Sequence, residues 1–219
     1  MIDQPGKTLA VAAQRAQVRA TYDGARGALL ATASALSGNL TAAEHLFRNR
    51  VFDIQGLKTI LDVGSGAGQL TLPMLKYADA TTQIVCADLS HNMLRRAQAR
   101  MGNYRPQFVG CDVQRLPFQS ESFDGVTCGF VLEHLPDPGE GLMEIARVMR
   151  PGGRLLLLIL LDSRLSRLTA KLWHCHPFTA GQLHDACRRL QLDFRNSRQL
   201  DGWQRLVRGD GLAVVLQKR

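Results

Sequence analysis

Between residues 58 and 161, short apolar runs alternate with amphipathic stretches, and most runs are bounded by glycine, proline or aspartate. Runs of this kind are typical of buried strands, and the stretches between them are long enough for helices. The pattern predicts five strands, at 58–63, 83–87, 106–110, 124–130 and 154–161, with helices at 69–77, 91–101 and 141–149. Strands that alternate with helices in this way form a parallel sheet with right-handed crossovers.

The pattern is weaker on both sides of this segment. Residues 1–55 are rich in alanine and leucine and predict helices that precede the sheet. After residue 162 we expect helices at 163–173 and 180–190, then two final strands at 192–200 and 212–217. The sequence therefore predicts an α/β fold in one structural domain, with an N-terminal helical cap at 1–55 and a core at 56–219.

A glycine-rich turn follows the first predicted strand, which ends in Asp62-Val63 and continues as Gly64-Ser65-Gly66-Ala67-Gly68. Glycine lets a ligand approach the main chain, and open α/β sheets bind ligands where such strands end. The spacing G-x-G-x-G differs from the G-x-G-x-x-G of dinucleotide-binding dehydrogenases. The Asp62 carboxylate would repel a pyrophosphate but attract an ammonium or sulfonium group. The turn therefore favours S-adenosylmethionine over NAD.

The chain has a net charge of +8, and most of it lies in residues 151–219, which carry 12 Lys and Arg against 5 Asp and Glu. Such an excess is typical of a solvated surface, and it also fits an anionic substrate or an acidic membrane surface. Peripheral membrane contact, with a phospholipid or quinone as substrate, therefore stays open. The cations are not dense and no aromatic residues alternate with them, so we expect no nucleic-acid partner.

Cysteine usage and the longest apolar run indicate the compartment. The five cysteines include no C-x-x-C pair, and residues 1–6 do not resemble a secretory signal. The longest apolar run, 155–161, is far shorter than the roughly 20 residues needed to span a bilayer. We therefore expect a cytoplasmic protein with reduced thiols.

Two more acids follow the next two strands along the chain. Asp88 comes at the tip of the second strand, where a carboxylate can accept hydrogen bonds from both ribose hydroxyls. Asp112 follows the third strand, where it can accept a hydrogen bond from the adenine amine. Leu89 and Met93 would enclose the ring, although Met93 also fits ordinary helix packing. Together with the glycine turn, these acids predict a nucleoside site.

At this point the chain resembles the class I S-adenosylmethionine-dependent methyltransferases, in the small-molecule branch that includes the ubiquinone/menaquinone C-methyltransferases. The resemblance covers about residues 55–162. It rests on six segments in order: 61–68 (LDVGSGAG), 88–90 (DLS), 112–118 (DVQRLPF), 122–126 (SFDGV), 133–137 (EHLPD) and 147–153 (RVMRPGG). It implies a Rossmann-like domain with a seven-stranded, mostly parallel sheet whose last strand is antiparallel.

The resemblance also implies which residues hold the cofactor. The methionine end would lie against the glycine turn and the end of the fourth strand, and the nucleoside against the ends of the second and third. The implied cofactor-binding residues are Asp62, Gly64, Ser65, Gly66, Gly68, Asp88, Leu89, Met93, Asp112, Val113, Cys128, Gly129 and Phe130.

Methyl transfer by in-line displacement needs positioning of the substrate, and a base only if the methyl acceptor must lose a proton. His134 is the first candidate base, because it follows the fourth strand and its imidazole side chain is of a type that titrates near neutral pH. The residue also fits a structural role in its loop. Tyr22, which the resemblance suggests closes over the cofactor, is the second.

The segment His174-Cys175-His176 looks like a metal cluster, but consecutive ligands do not easily converge on one ion, so we expect no metal. His174 or His176 would instead contact the methyl acceptor. An NAD-dependent reductase, a non-catalytic nucleotide-binding protein and an enzyme that uses the same cofactor for another reaction, such as cyclisation, remain alternatives. The methyl acceptor, the atom that is methylated and the oligomeric state stay open.

Overall fold

The structure, a computed structural model, describes residues 39–173, 175–200 and 210–219. These ranges contain six α-helices, one short 3₁₀ helix at Leu132–His134 and seven strands. The helices are α1 (Asn39–Arg48), α2 (Thr71–Tyr77), α3 (His91–Arg100), α4 (Pro138–Val148), α5 (Arg164–Trp173) and α6 (Ala180–Arg189). The strands are β1 (Thr59–Val63), β2 (Gln83–Asp88), β3 (Gln107–Gly110), β4 (Phe123–Gly129), β5 (Met149–Leu160), β6 (Leu192–Gln199) and β7 (Gly211–Lys218).

The seven strands form one sheet in the order β3-β2-β1-β4-β5-β7-β6. All neighbouring pairs from β3 to β5 are parallel, and β7 is antiparallel to both β5 and β6. This confirms the predicted α/β fold and the antiparallel last strand. The chain order reverses at β1, whose neighbours are β2 and β4, and ligands bind beside such a switch point in open α/β sheets.

The sheet is covered on both faces, as the uninterrupted apolar run of β5 predicts. Leu155, Leu157 and Ile159 point into a cluster formed with α4 and α6. Leu156 and Leu158 point into a second cluster formed with α1 and α2. Because successive side chains of a strand face opposite ways, β1, β2, β5 and β7 contribute to both clusters. The sheet that carries the site residues is therefore held from two sides.

Two predicted boundaries differ from the structure near the RVMRPGG segment. Helix α4 begins at Pro138, three residues before the prediction, because the Asp137 carboxylate accepts a hydrogen bond from the Gly139 amide at 2.8 Å and caps the helix. Strand β5 begins at Met149 rather than residue 154. Met149 pairs with Phe123, and the register then shifts, so the Pro-Gly-Gly stretch forms an irregularity within the strand.

The described part of the predicted N-terminal cap packs on the core. Ala43, Leu46 and Phe47 of α1 are buried with Phe52 and Ile54 in the cluster beside α2. The remainder of the cap, residues 1–38, lies outside the described residues. None of the helices in the described ranges is long and apolar enough to cross a membrane.

Candidate active site

The three predicted acids lie at the same edge of the sheet. Asp62 is the fourth residue of β1, Asp88 ends β2, and Asp112 follows β3 by two residues. Strands β1, β2 and β3 are adjacent and parallel, so their carboxyl ends meet at one edge. The fold therefore gathers the acids around the glycine turn, as the sequence predicts.

The glycine turn is held in a conformation that requires glycine. Gly64, Gly66 and Gly68 have φ values of 64°, 54° and 82°, in the left-handed region. A Cβ at Gly64 would collide with the side chain of Val131, and one at Gly68 would collide with the methyl group of Met101. The loop after β4 and the end of α3 thus press directly on the turn, which fixes its backbone.

Two further contacts tie the turn to its surroundings. The guanidinium of Arg100 donates to the Ala67 carbonyl at 3.1 Å, and the Gly68 amide donates to the Ser65 carbonyl at 2.9 Å. The Ser65 hydroxyl is buried and has no hydrogen-bond partner among the described residues. The turn is therefore rigid while one of its polar groups lacks a partner within the described part of the chain.

Asp88 links the turn to the start of α3. One carboxylate oxygen accepts from the Gly66 amide and the other from the Ser90 amide, both at 2.8 Å. Ser90 is the N-cap of α3, and its hydroxyl accepts from the Met93 amide at 3.1 Å. Met93 is buried, which fits the helix-packing role. Asp88 is half-buried. Its carboxylate therefore stabilises the glycine turn and is still partly exposed at the carboxyl edge of the sheet.

Asp62 is much deeper than the sequence suggests, with only 1% of its surface exposed. Its two carboxylate oxygens accept from the Thr71 hydroxyl at 2.5 Å and the Thr127 hydroxyl at 2.7 Å. Thr71 begins α2 and Thr127 lies opposite Asp62 on β4. The carboxylate therefore joins β1, β4 and α2 beneath the glycine turn.

Burial raises the pKa of Asp62 to about 6, and the nearby charge of Asp88 adds to this rise. The hydrogen bonds from Thr71 and Thr127 act in the opposite direction without compensating for desolvation. A cation placed beside the carboxylate would lower the pKa again. Asp62 is thus a buried acid whose charged form would gain from a positively charged ligand.

The loop that carries Asp112 is fastened to α4. The Asp112 carboxylate accepts from the Gln114 amide at 2.9 Å, and the Leu116 amide donates to Glu144 at 2.9 Å. Arg147 donates to the carbonyls of Leu116 at 3.0 Å and Phe118 at 2.8 Å. These bonds hold Asp112 and the buried Val113 in place beside the end of β3.

The end of β4 turns sharply beside the glycine turn. Cys128 is fully buried, and burial raises the pKa of its thiol well above the ordinary value, with the charges of Glu133 and Asp62 adding to the effect. Phe130 has a φ of 56°, which is rare for a residue with a side chain. Gly129 packs against Leu70. The buried Cys128 side chain leaves the main chain of this stretch as its group suited to a ligand, and the proposed contacts of Gly129 and Phe130 stay predictions.

The candidate base His134 ends the 3₁₀ helix that follows β4, and its side chain is partly exposed. The preceding residue, Glu133, is buried, and its carboxylate accepts from the Leu160 amide at 2.6 Å. The Glu133 carbonyl accepts from the amide of His176 at 2.8 Å. The structure therefore brings His134 and His176, which are far apart in sequence, onto neighbouring segments.

Two predicted contact residues, Tyr22 and His174, lie outside the described residues. Within the described ranges, no group of three or more His, Cys, Asp or Glu residues is placed to hold a metal ion. The contacts of all the predicted site residues with a cofactor or substrate stay predictions.

The sequence reasoning missed the residues that support the site. Thr71 and Thr127 hold Asp62, and Arg100 holds the glycine turn. Thr127 gave one usable signal, because a polar residue in the middle of a strand that is otherwise buried needs a partner. Arg100 gave none, since its contact depends on how α3 packs.

Comparison with known proteins agrees with this geometry. Residues 61–157 match the family model of a methyltransferase domain. A ubiquinone/menaquinone biosynthesis C-methyltransferase (UbiE) from Pseudomonas savastanoi pv. phaseolicola is 33% identical over 132 residues, which cover 56% of this chain and 50% of the relative. The match thus spans half the length of that relative.

Two solved structures share the fold. Magnesium protoporphyrin IX methyltransferase from Synechocystis, solved with bound SAH, superposes with a TM-score of 0.75 at 13% identity, covering 94% of this chain and 100% of that one. The [4+2]-cyclase SpnF superposes with a TM-score of 0.63 at 18% identity, covering 82% of this chain and 81% of that one. At these identities the likeness concerns the fold alone. Residues 61–157 therefore match the methyltransferase domain family, and the described part of the chain has the fold of solved methyltransferases.

Proposed function

We propose that the protein binds S-adenosylmethionine and transfers its methyl group to a small-molecule acceptor. The observation that carries the proposal is the gathering of Asp62, Asp88 and Asp112 at one sheet edge around a rigid turn of three glycines. A donor with one cationic end and one nucleoside end needs acceptors in both places, and this edge supplies them. The match to the methyltransferase domain family supports the same activity.

The residues present fit this cofactor. The buried Asp62 gains from a nearby cation, and the left-handed glycines leave no Cβ over the turn. Asp88 would hold the ribose, and Asp112 with Val113 the adenine. The full proposed set is the one given by the resemblance: Asp62, Gly64, Ser65, Gly66, Gly68, Asp88, Leu89, Met93, Asp112, Val113, Cys128, Gly129 and Phe130.

When bound, the cofactor supplies a methyl group on a sulfonium, which is a good leaving group and needs little chemical help from the protein. The protein's part is to hold the acceptor in line and to exclude water. His134 is proposed to take the proton that an acidic acceptor loses, because it follows β4 at the carboxyl edge of the sheet and its side chain is partly exposed. Tyr22 is a second proposed contact.

A screen for S-adenosylhomocysteine against a library of small metabolites tests the proposal. Turnover with at least one acceptor is expected, and Asp88→Ala should abolish it by removing both the proposed ribose contact and the Gly66 hydrogen bond. Calorimetry should show that the folded protein binds S-adenosylhomocysteine. The absence of binding on folded material would refute the proposal, and binding of NADH in its place would favour a reductase.

The likeness to a [4+2]-cyclase is the reason to analyse products as well as cofactor. An enzyme that uses the fold for another reaction would convert its substrate without forming S-adenosylhomocysteine. A product heavier by one methyl group, formed in equal amount with S-adenosylhomocysteine, would distinguish methyl transfer from that alternative.

A peripheral contact with an anionic membrane surface is proposed for helix α5, which follows β5 at the same edge of the sheet. Arg164, Leu168 and Lys171 are spaced so that they share one face, and Leu168 is 69% exposed. Arg167 on the same side is paired with Asp162, whereas Arg164 and Lys171 have no ion-pair partner among the described residues. An apolar side chain between cations is suited to an acidic lipid surface.

Co-sedimentation with phosphatidylglycerol vesicles at low salt tests this contact, with phosphatidylcholine vesicles as the control. The double substitution Arg164→Glu and Lys171→Glu should abolish sedimentation. The absence of binding to anionic vesicles at low salt would refute the proposed membrane contact.

A cytoplasmic location is also proposed, supported by the five cysteines, all of which are free thiols.

A further inference from the structure

We propose that Glu133 is a positioning residue that docks the His134 loop onto the segment carrying His176, and so assembles the site for the methyl acceptor. The effect of Glu133 on methyl transfer rests on the proposed function. The docking of the His134 loop is a property of the fold and does not depend on that function. Glu133 would act through its neighbours and would not touch the acceptor.

The first support is the burial of a carboxylate that the cofactor site does not use. Glu133 is 2% exposed, whereas His134, the next residue, is partly exposed. A carboxylate is costly to bury unless it is hydrogen-bonded, so its retention at this point indicates a specific task.

The second support is the pair of bonds that Glu133 makes to segments distant in sequence. Its side chain accepts from the Leu160 amide at 2.6 Å, at the last residue of β5. Its main-chain carbonyl accepts from the His176 amide at 2.8 Å. One residue thus connects the end of β4, the end of β5 and the segment between α5 and α6.

The third support is that the segment carrying His176 is itself hydrogen-bonded to the end of β5. The Phe178 amide donates to the Leu160 carbonyl at 2.7 Å, and the Asp162 amide donates to the Phe178 carbonyl at 2.8 Å. Leu160 therefore bonds Glu133 through its amide and Phe178 through its carbonyl. Any movement of Glu133 changes the position of His134 relative to His176, which is how a buried group can control an exposed site.

Glu133→Ala tests the inference, with Glu133→Gln as the conservative variant, because the amide oxygen of glutamine can still accept from Leu160. In the alanine variant, amide exchange at Leu160, which loses its acceptor, should be faster by about 10-fold or more. Exchange at His176 should also be faster by about 10-fold or more, because the undocked loop shifts the carbonyl of residue 133 away from that amide. The Leu161 amide, which donates to Asp210 at 2.8 Å, is the internal control and should not change. The glutamine variant should keep both amides protected.

The catalytic readout separates positioning from general stability. Once a methyl acceptor is known, the kcat of Glu133→Ala should be about 100-fold lower than that of the wild type, while its affinity for S-adenosylhomocysteine stays within about twofold. The kcat of Glu133→Gln should be close to that of the wild type. Asp137→Ala is the matched control, because it loosens the same loop at its other end by removing the α4 cap. It should leave the Leu160 and His176 amides protected.

Wild-type exchange rates at Leu160 or His176 in the alanine variant would overturn the inference, as would equal losses of kcat in the alanine and glutamine variants. If Glu133→Ala does not fold, the amides of the wild type and of Glu133→Gln decide, because fast exchange at Leu160 in either protein contradicts the docking. If the wild type binds no S-adenosylhomocysteine, the proposed function fails, whereas the amide exchange still tests Glu133.

Discussion

Replacing Asp62 by asparagine should increase the stability of the ligand-free protein at neutral pH while it weakens cofactor binding. The pKa of Asp62 is raised from an ordinary value of 3.8 to about 6 by burial. The folded state therefore holds the proton more tightly than the unfolded state does. Stability from this group is fully present below about pH 4 and is lost as the pH rises to about 6.

The magnitude follows from the same shift. Each pKa unit corresponds to about 1.4 kcal/mol, so a rise from 3.8 to about 6 corresponds to about 3 kcal/mol of folding free energy above pH 7. Asparagine has a similar shape and no charge to desolvate. It keeps one acceptor for a threonine hydroxyl and adds an N–H donor, so the second hydroxyl must turn to accept.

Urea unfolding of Asp62→Asn and the wild type at several pH values between 4 and 8 measures the effect. The stability of the variant relative to the wild type should rise across this range by up to about 3 kcal/mol. Calorimetry should show an affinity for S-adenosylmethionine that is lower by about 10- to 100-fold, because a charge-assisted bond is lost. A variant that is less stable at pH 8, or that binds the cofactor as well as the wild type does, would refute the reasoning.

Asp124→Asn is the matched control with the opposite sign. Burial tends to raise the pKa of Asp124, but hydrogen bonds from Arg150 and Thr59 outweigh it and lower the pKa overall. Its charged form therefore contributes stability above the unfolded pKa, which is lost as the pH falls. Asp124→Asn should destabilise the protein by about 2 kcal/mol at pH 8, and less at pH 4.

Three other substitutions test separate parts of the site. Gly64→Ala should cost about 3 kcal/mol in urea unfolding, because of its left-handed φ and its contact with Val131, and adding Val131→Ala should recover the steric part. His134→Gln should lower kcat by about 100-fold or more, with unchanged binding of S-adenosylhomocysteine by calorimetry, for an acceptor that loses a proton. Arg147→Met should reduce that binding by about 10-fold, because it frees the loop of Asp112 from α4, and unchanged affinity would show that the loop holds without it.

The sequence was sufficient for the features that depend on local pattern. The uninterrupted apolar run of β5 predicts a central strand, and the acids near the ends of β1, β2 and β3 predict a shared edge once the strands are parallel. A serine directly before a predicted helix favours an N-cap, and Ser90 caps α3 in the structure. Each of these inferences needs only neighbours in the chain and a general rule of sheet topology.

Features that depend on contacts between distant segments could not be read in this way. The sequence indicates that Asp62 lies near a cationic ligand, but it does not show Thr71 and Thr127, which meet the carboxylate only after α2 and β4 have packed on β1. In the sequence Glu133 is only the neighbour of His134, and its bonds to Leu160 and His176 appear only when β5 lies beside β4. In both cases a polar side chain at a strand end points inward, which residue type alone does not reveal.

The position of β7 has a consequence for how the chain folds during synthesis. This strand is the last of the seven in chain order, yet it lies between β5 and β6 and pairs with Leu155 through Leu160. Until β7 emerges, one side of the most apolar strand has no hydrogen-bonded neighbour, and such an open edge recruits strands from other molecules. Nascent chains that stall between β6 and β7 are therefore the species most exposed to aggregation and most dependent on chaperones.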